Sequence, residues 1–128
     1  MYDSLYTSLA KVDHIILKHK AYKALLDENE AMAKEFVDYN KCRMGQWYNT
    51  DAKQKFGHTK AYKELGNVHK RVHDKIFEVM RCVPEHTCIT KENQDNVISG
   101  FKDMEEASFK MFDLFRAMVR EGNPKVTL

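Results

Sequence analysis

The sequence has no long apolar run. Its longest, such as Ile15-Ile16-Leu17, fall far short of the ~20 residues that a membrane span needs, and no stretch is expected to act as a signal peptide. An excess of charge of one sign is also missing. Twenty-one Lys and Arg against 19 Asp and Glu leave a net charge of +2, which excludes a strong electrostatic pull on nucleic acid or anionic lipid. Cysteine is scarce: three residues, an odd number without a regular framework, fit a reducing cytosol better than a disulfide scaffold. The 128 residues, 43% of them hydrophobic, suffice for one core and are too few for two ordinary domains. Residues 1–128 are therefore expected to form one cytoplasmic unit, with no internal repeat or low-complexity segment.

Only two prolines and five glycines punctuate the chain, and they fall between periodic segments. From about Ser4 to Asp27 the pattern is helical, with two apolar stripes. Leu5, Leu9, Val12 and Ile16 form one; Tyr6, Ala10, His14, Leu17, Ala21 and Leu25 form the other. Two stripes imply burial on two sides, so this helix should be central or should also face a partner. Glu30 to Tyr39 reads as a shorter helix, and Gly45 makes Cys42–Tyr48 a turn or a short distorted helix. Thr59 is the expected N-cap of a helix running to about Cys82, which should bury Tyr62, Leu65, His69, Val72, Ile76 and Met80. Pro84 follows its end. The last helix should start after Thr90 and stop near Glu121, before Gly122-Asn123-Pro124. Its stripe is Val97, Phe101, Met104, Ser108, Met111, Phe115 and Met118, widened by Ile98, Phe112 and Val119. The expected fold is all-α: a helical bundle of three long helices and one or two short ones.

The chemistry-bearing residues are histidines and cysteines. In Val68-His69-Lys70-Arg71-Val72-His73 two histidines are four residues apart, which on a helix puts both rings on one face, one turn apart. Lys70, Arg71 and Asp74 fall on other faces, leaving the imidazoles beside Leu65, Val72, Ile76 and Phe77. Two unpaired imidazoles in apolar surroundings carry a desolvation cost that a metal ion removes. His14, on a buried stripe, can supply a third nitrogen, and a thiol would complete a tetrahedral shell suited to zinc. His19 is five residues past His14, about 140° further round the helix, and cannot share its target. His58 and His86 sit in expected turns, and all three should face solvent. Cys82 and Cys88, near a loop, read as exposed thiols, or Cys82 as a small hydrophobe at a helix end. Spacing alone leaves Cys42, Cys82 and Cys88 all open as the fourth ligand.

Three segments carry a resemblance: Val12-Asp13-His14-Ile15-Ile16-Leu17-Lys18, Cys42-Arg43-Met44-Gly45-Gln46-Trp47-Tyr48 and His69-Lys70-Arg71-Val72-His73. In order and separation they resemble the motifs of the chemoreceptor zinc-binding (CZB) domain, a likeness spanning roughly residues 8 to 115. The Leu9-Ala10-Lys11 entry and Phe56-Gly57-His58-Thr59-Lys60-Ala61-Tyr62 are similar to the CZB domains at the C-termini of soluble bacterial chemoreceptors. Met44 and Gln46 stand where leucine and lysine are common, and neither is a presumed ligand.

The resemblance implies Zn2+ held within the bundle by His14, Cys42, His69 and His73, a homodimer, and attachment to a chemoreceptor signalling region or to a diguanylate cyclase. It implies a sensory module, cut from a longer protein or standing alone, rather than an enzyme. Four protein ligands leave no water to activate. CZB domains are linked to sensing hypochlorous acid, which implies that Cys42 is the redox-sensing residue. Zinc-level sensing and a purely structural dimerisation module are the competing readings. A hemerythrin-like carrier would need bridging carboxylates and a Glu-x-x-His pair, which the sequence lacks. The expected dimer faces are helix one and the last helix.

Overall fold

The computed structural model describes residues 2–122, without the side chains of residues 2–4, 6 and 7. The side chain of Tyr6 of the second stripe, and Asn123-Pro124 of the stop signal, lie outside what is described. Six helices follow in order: α1 Tyr2–Leu26, α2 Glu30–Ala33, α3 Arg43–Asn49, α4 Asp51–Phe56, α5 Lys60–Met80 and α6 Lys91–Gly122. There is no strand among the described residues. No helix among them is long and apolar enough to cross a membrane. The expected all-α bundle with three long helices is what forms, with three short helices instead of one or two.

Of the long helices, α1 and α5 run parallel and α6 runs against both. The Ala61 amide at the start of α5 donates to Glu121 Oε2 at the end of α6 at 3.2 Å, so α5 and α6 are antiparallel. Lys18 meets Glu105 at 3.0 Å and the Tyr22 ring meets that of Phe101, which sets α1 antiparallel to α6 as well. The α1 stripe through Ala10, His14, Ala21 and Leu25 is buried. The other stripe is not: Leu5, Leu9, Val12 and Ile16 are 57, 37, 51 and 53% exposed. Within one chain α1 is thus an outer helix with an uncovered apolar face, and not a central one.

Thr59 caps α5 as expected, its side chain accepting from the Tyr62 amide at 3.1 Å. Two other helix ends have no signal of that kind. At the end of α1 the Glu28 amide donates to the Leu25 carbonyl and the Asn29 amide to that of Ala24, with Glu28 at φ 46°. After α5 the same pattern recurs: the His86 amide donates to Val83, the Thr87 amide to Cys82, and His86 sits at φ 55°. Both are Schellman terminations, which ordinarily place glycine at the left-handed residue. Glu28 and His86 stand there instead and face one another, His86 Nδ1 lying 3.3 Å from Glu28 Oε2.

Three expectations need correction. The helix expected over Glu30–Tyr39 stops at Ala33: beyond it the Val37 carbonyl is turned toward His73 of α5, and Asp38 holds the Asn40 amide in a side-chain turn at 2.8 Å. Cys82 and Cys88 are neither exposed thiols nor a lone packed hydrophobe: they form a disulfide with both residues buried, the turns after α5 bringing their Cα atoms to 4.9 Å. Phe77, expected beside the imidazoles, is one turn past His73 on α5 and is 40% exposed, so its ring does not close over the buried pair.

The interior divides into two apolar clusters. One is aromatic and methionine-rich, with Trp47, Phe56, Tyr62, Leu65, Met111 and Phe115 gathered from α3, α4, the start of α5 and the end of α6. The other is built mainly from small residues and the disulfide, with Ala21, Ala24, Val72, Ile76, Val83 and Cys88 from the opposite end of the long helices. Between them lies a polar layer.

Candidate metal centre

That layer is made of imidazoles. His14 on α1 and His69 and His73 on α5 are each buried, and one nitrogen of each lies within 4.8 Å of the others. The ring centroids of His69 and His73 are 4.8 Å apart and nearly perpendicular, as an i, i+4 pair aimed at one point should be. His14 closes the group from the neighbouring helix, 5.4 Å from the His69 ring.

The fourth donor comes from the opposite side. Cys42 is the N-cap of α3, its sulfur accepting from the Gly45 amide at 3.3 Å and lying 3.2 Å from His69 Nε2. Gly45 is required there, since the Tyr39 carbonyl occupies the space that a Cβ would fill. Cys42 is only half-buried, unlike the three histidines. A tetrahedral zinc with Zn–N near 2.0–2.1 Å and Zn–S near 2.3 Å separates its ligand atoms by about 3.3–3.6 Å. The Cys42 sulfur and His69 Nε2, 3.2 Å apart, are near that separation, while the three imidazole nitrogens, within 4.8 Å of one another, are grouped more loosely.

Hydrogen bonding says which nitrogens are available. His14 Nδ1 is 2.8 Å from the Ala10 carbonyl, and His73 Nδ1 is 3.0 Å from that of Val37. Each Nδ1 therefore carries the proton, leaving Nε2 with a lone pair. Both Nε2 atoms are buried and have no hydrogen-bond partner. Buried polar atoms are rarely left so. Backbone carbonyls that fix the tautomer behind a ligating histidine are the usual support of a metal site.

Electrostatics point the same way. Burial lowers the pKa of His14 to about 4 against the pull of the Ala10 carbonyl. Burial, reinforced by the neighbouring His73 and His14, lowers His69 further, to about 2. His73 is also lowered by burial, against the Val37 carbonyl. All three rings are thus neutral at pH 7, the state in which an imidazole can bind a metal. Burial raises the Cys42 thiol, opposed by the amides of α3's first turn. A bound cation would reverse that shift and hold it as thiolate.

The four residues singled out in the sequence are thus brought together, and His19, His58 and His86 are exposed as expected. Neither Cys82 nor Cys88 belongs to the group; they are paired with each other. What the sequence concealed is the support. The Ala10 carbonyl could have been found as the i−4 neighbour of His14, but nothing in the sequence marks Val37. The Tyr39 ring, packed edge-on to His69 at 5.9 Å, was equally hidden.

A helical bundle with convergent imidazoles and a thiol in a polar layer is a metal-binding domain, and borderline-soft donors of this kind suit zinc. The chain belongs to the chemoreceptor zinc-binding domain family, whose sequence profile matches residues 14–80, just over half of it. The matched span begins at His14, takes in Cys42, His69 and His73, and ends with α5, so α6 lies beyond it. No curated protein and no solved structure matches the chain at a significant level. The chain is a zinc-binding, chemoreceptor-associated sensory domain.

Proposed function

We propose that His14, Cys42, His69 and His73 hold one Zn2+ and that Cys42 is the residue through which the domain senses oxidants such as hypochlorous acid. The observation that carries the ligand assignment is the pair of buried, partnerless Nε2 atoms facing a thiol and a third imidazole. Zinc, when bound, supplies a thiolate at neutral pH. Four protein donors leave no open position for a water, so this is a regulatory domain and not an enzyme.

Exposure favours the oxidant reading over simple zinc-level sensing: the thiol is the one member of the group that solvent reaches. Attack of the thiolate on chlorine of hypochlorous acid gives a sulfenyl chloride and hydroxide, and water then yields the sulfenic acid and chloride. Thiols can reverse that product, whereas further oxidation is permanent. The sulfur is also the cap of α3, so its modification removes the acceptor for the Gly45 amide and frees the segment around residues 39–48 to move.

The uncovered face of α1, with exposed Phe109 and Ile98 on α6, supports a homodimer in which a change in helix packing reaches an attached signalling region in the cytoplasm. Metal analysis of the wild type beside Cys42→Ala and His73→Ala tests the assignment. The expected result is one zinc per chain, lost or weakened in both variants; unchanged zinc in both would refute it.

A further inference from the structure

The Cys82–Cys88 pair lies outside the donor set and has no part in the function proposed above. Both residues are buried, yet each borders a cleft open to solvent. Cys82 lines one of about 450 Å3 between α5 and α6, and Cys88 one of about 590 Å3 between α1 and α6. Small redox reagents therefore have a route from either side.

Physical connections run from this pair to the metal centre. Met32, Ala33 and Phe36 rest on the apolar cluster that contains both cysteines. His86, inside the loop that the disulfide closes, reaches Glu28 at 3.3 Å and Glu30 at 3.9 Å on either side of the turn into α2. The residue after Phe36 is Val37, whose carbonyl holds His73 Nδ1 at 3.0 Å. The shape of the 82–88 loop thus sets where α2 and residues 34–36 rest, and that segment positions the carbonyl that aims a metal-directed imidazole.

We propose that Cys82 and Cys88 are a reversible dithiol–disulfide switch, separate from Cys42, that tunes zinc affinity by positioning His73. Closure uses a peroxide-class oxidant. One thiolate attacks a peroxide oxygen, giving a sulfenic acid and hydroxide, and the second thiolate displaces hydroxide from that sulfur. The two thiol protons leave with the two hydroxides, so two thiols and one hydrogen peroxide become one disulfide and two waters. Opening uses two equivalents of a small thiol through a mixed disulfide, the reductant leaving as its own disulfide. With the disulfide closed, the loop holds α2 and zinc binds tightly. With it open, the loop relaxes and His73 loses its fixed orientation. Coupling of this kind is reciprocal: zinc loading favours the disulfide by the same factor by which the disulfide favours zinc.

The affinity statement rests on the zinc site proposed above; the link from the loop to residues 27–40 does not, and the experiment separates them. Wild-type protein would be prepared in the disulfide form and in the form reduced by a phosphine, with the state of Cys82, Cys88 and Cys42 verified by alkylation and peptide mass. Hydrogen exchange across residues 27–40 is read on metal-free protein, and zinc affinity by competition with a chromophoric chelator. The expected results are faster exchange over 27–40 in the reduced form and zinc binding weakened by about fivefold or more. Hydrogen peroxide, one equivalent, should restore both. The Cys82→Ser/Cys88→Ser chain should match the reduced form, and the peroxide should not shift its readouts toward those of the disulfide form in protein whose Cys42 is shown by peptide mass to remain a thiol. Identical exchange in the two verified forms would overturn the link, and so would a pair that cannot be opened and reclosed. Altered exchange with equal zinc affinity would overturn the tuning of His73. Absence of zinc binding in both forms would refute the zinc-site reading, and with it the tuning, while exchange still decides the link.

Discussion

The two apolar ends of the bundle hold the polar layer in different ways. At the aromatic end Phe56, Phe115, Met111 and Leu65 are wholly buried, and Tyr48 and Tyr62 stack face to face 4.1 Å apart while each hydroxyl donates to the other's backbone carbonyl. Large interlocking side chains fix this end, and it delivers Cys42 on α3. The other end has smaller side chains, two left-handed turns at non-glycine residues and a disulfide. It delivers the Val37 carbonyl behind His73. The comparison teaches that the metal centre has one support set by packing and one set by a covalent tie and strained turns. Disturbing the first should chiefly cost stability; disturbing the second should chiefly change zinc affinity.

The largest expected effect breaks the aromatic end. Phe56→Ala removes a ring with no exposed surface and should destabilise the chain by about 3–5 kcal/mol, read from urea unfolding. Zinc content of the folded fraction should stay at the wild-type value, because Phe56 touches none of the donors' supporting carbonyls.

Removing zinc comes next and acts on the layer between the ends. At a hundredfold excess over its dissociation constant, zinc adds about 2.7 kcal/mol, so a chelator should lower the thermal midpoint accordingly. Acid should act on metal-free protein in a defined direction. Unfolded histidines titrate near 6.5, whereas burial lowers folded His14 to about 4 and also lowers His69 and His73. Below 6.5 the unfolded chain binds protons that the folded chain refuses. Stability is therefore full above about pH 6.5 and is lost as pH falls toward 4, which urea midpoints at pH 7.5, 6 and 5 would reveal.

The smallest effects sharpen the contrast. Thr59→Ala and Asn29→Ala each delete an N-cap, at the aromatic end and the disulfide end respectively. Both should cost about 1 kcal/mol or less in unfolding experiments. Only Asn29→Ala, which loosens α2 ahead of Val37, should also weaken zinc in a competition titration.

Much of this was legible in the sequence. The long helices α1, α5 and α6 follow from 3.6-residue periodicity, and Thr59 from its capping chemistry. The four candidate donors stood out because His69 and His73 share a helix face and His14 lies on an apolar stripe, with Cys42 chosen by family likeness. The disulfide end was obscure for physical reasons. Its helix stops use Glu28 and His86 where glycine would have announced the turn. Its short α2 ends because of tertiary hydrogen bonds, and an odd cysteine count concealed a pair. The other apolar stripe of α1, through Leu5, Leu9, Val12 and Ile16, was also legible, and within this chain it is exposed.

The central claim is that three imidazoles and the Cys42 thiolate surround one zinc. X-ray absorption at the zinc edge of loaded protein tests it most directly. The expected spectrum fits three nitrogens near 2.0–2.1 Å and one sulfur near 2.3 Å, with the sulfur scatterer absent in Cys42→Ala. A shell of nitrogen and oxygen alone in the wild type, or a sulfur that persists in Cys42→Ala, would contradict it.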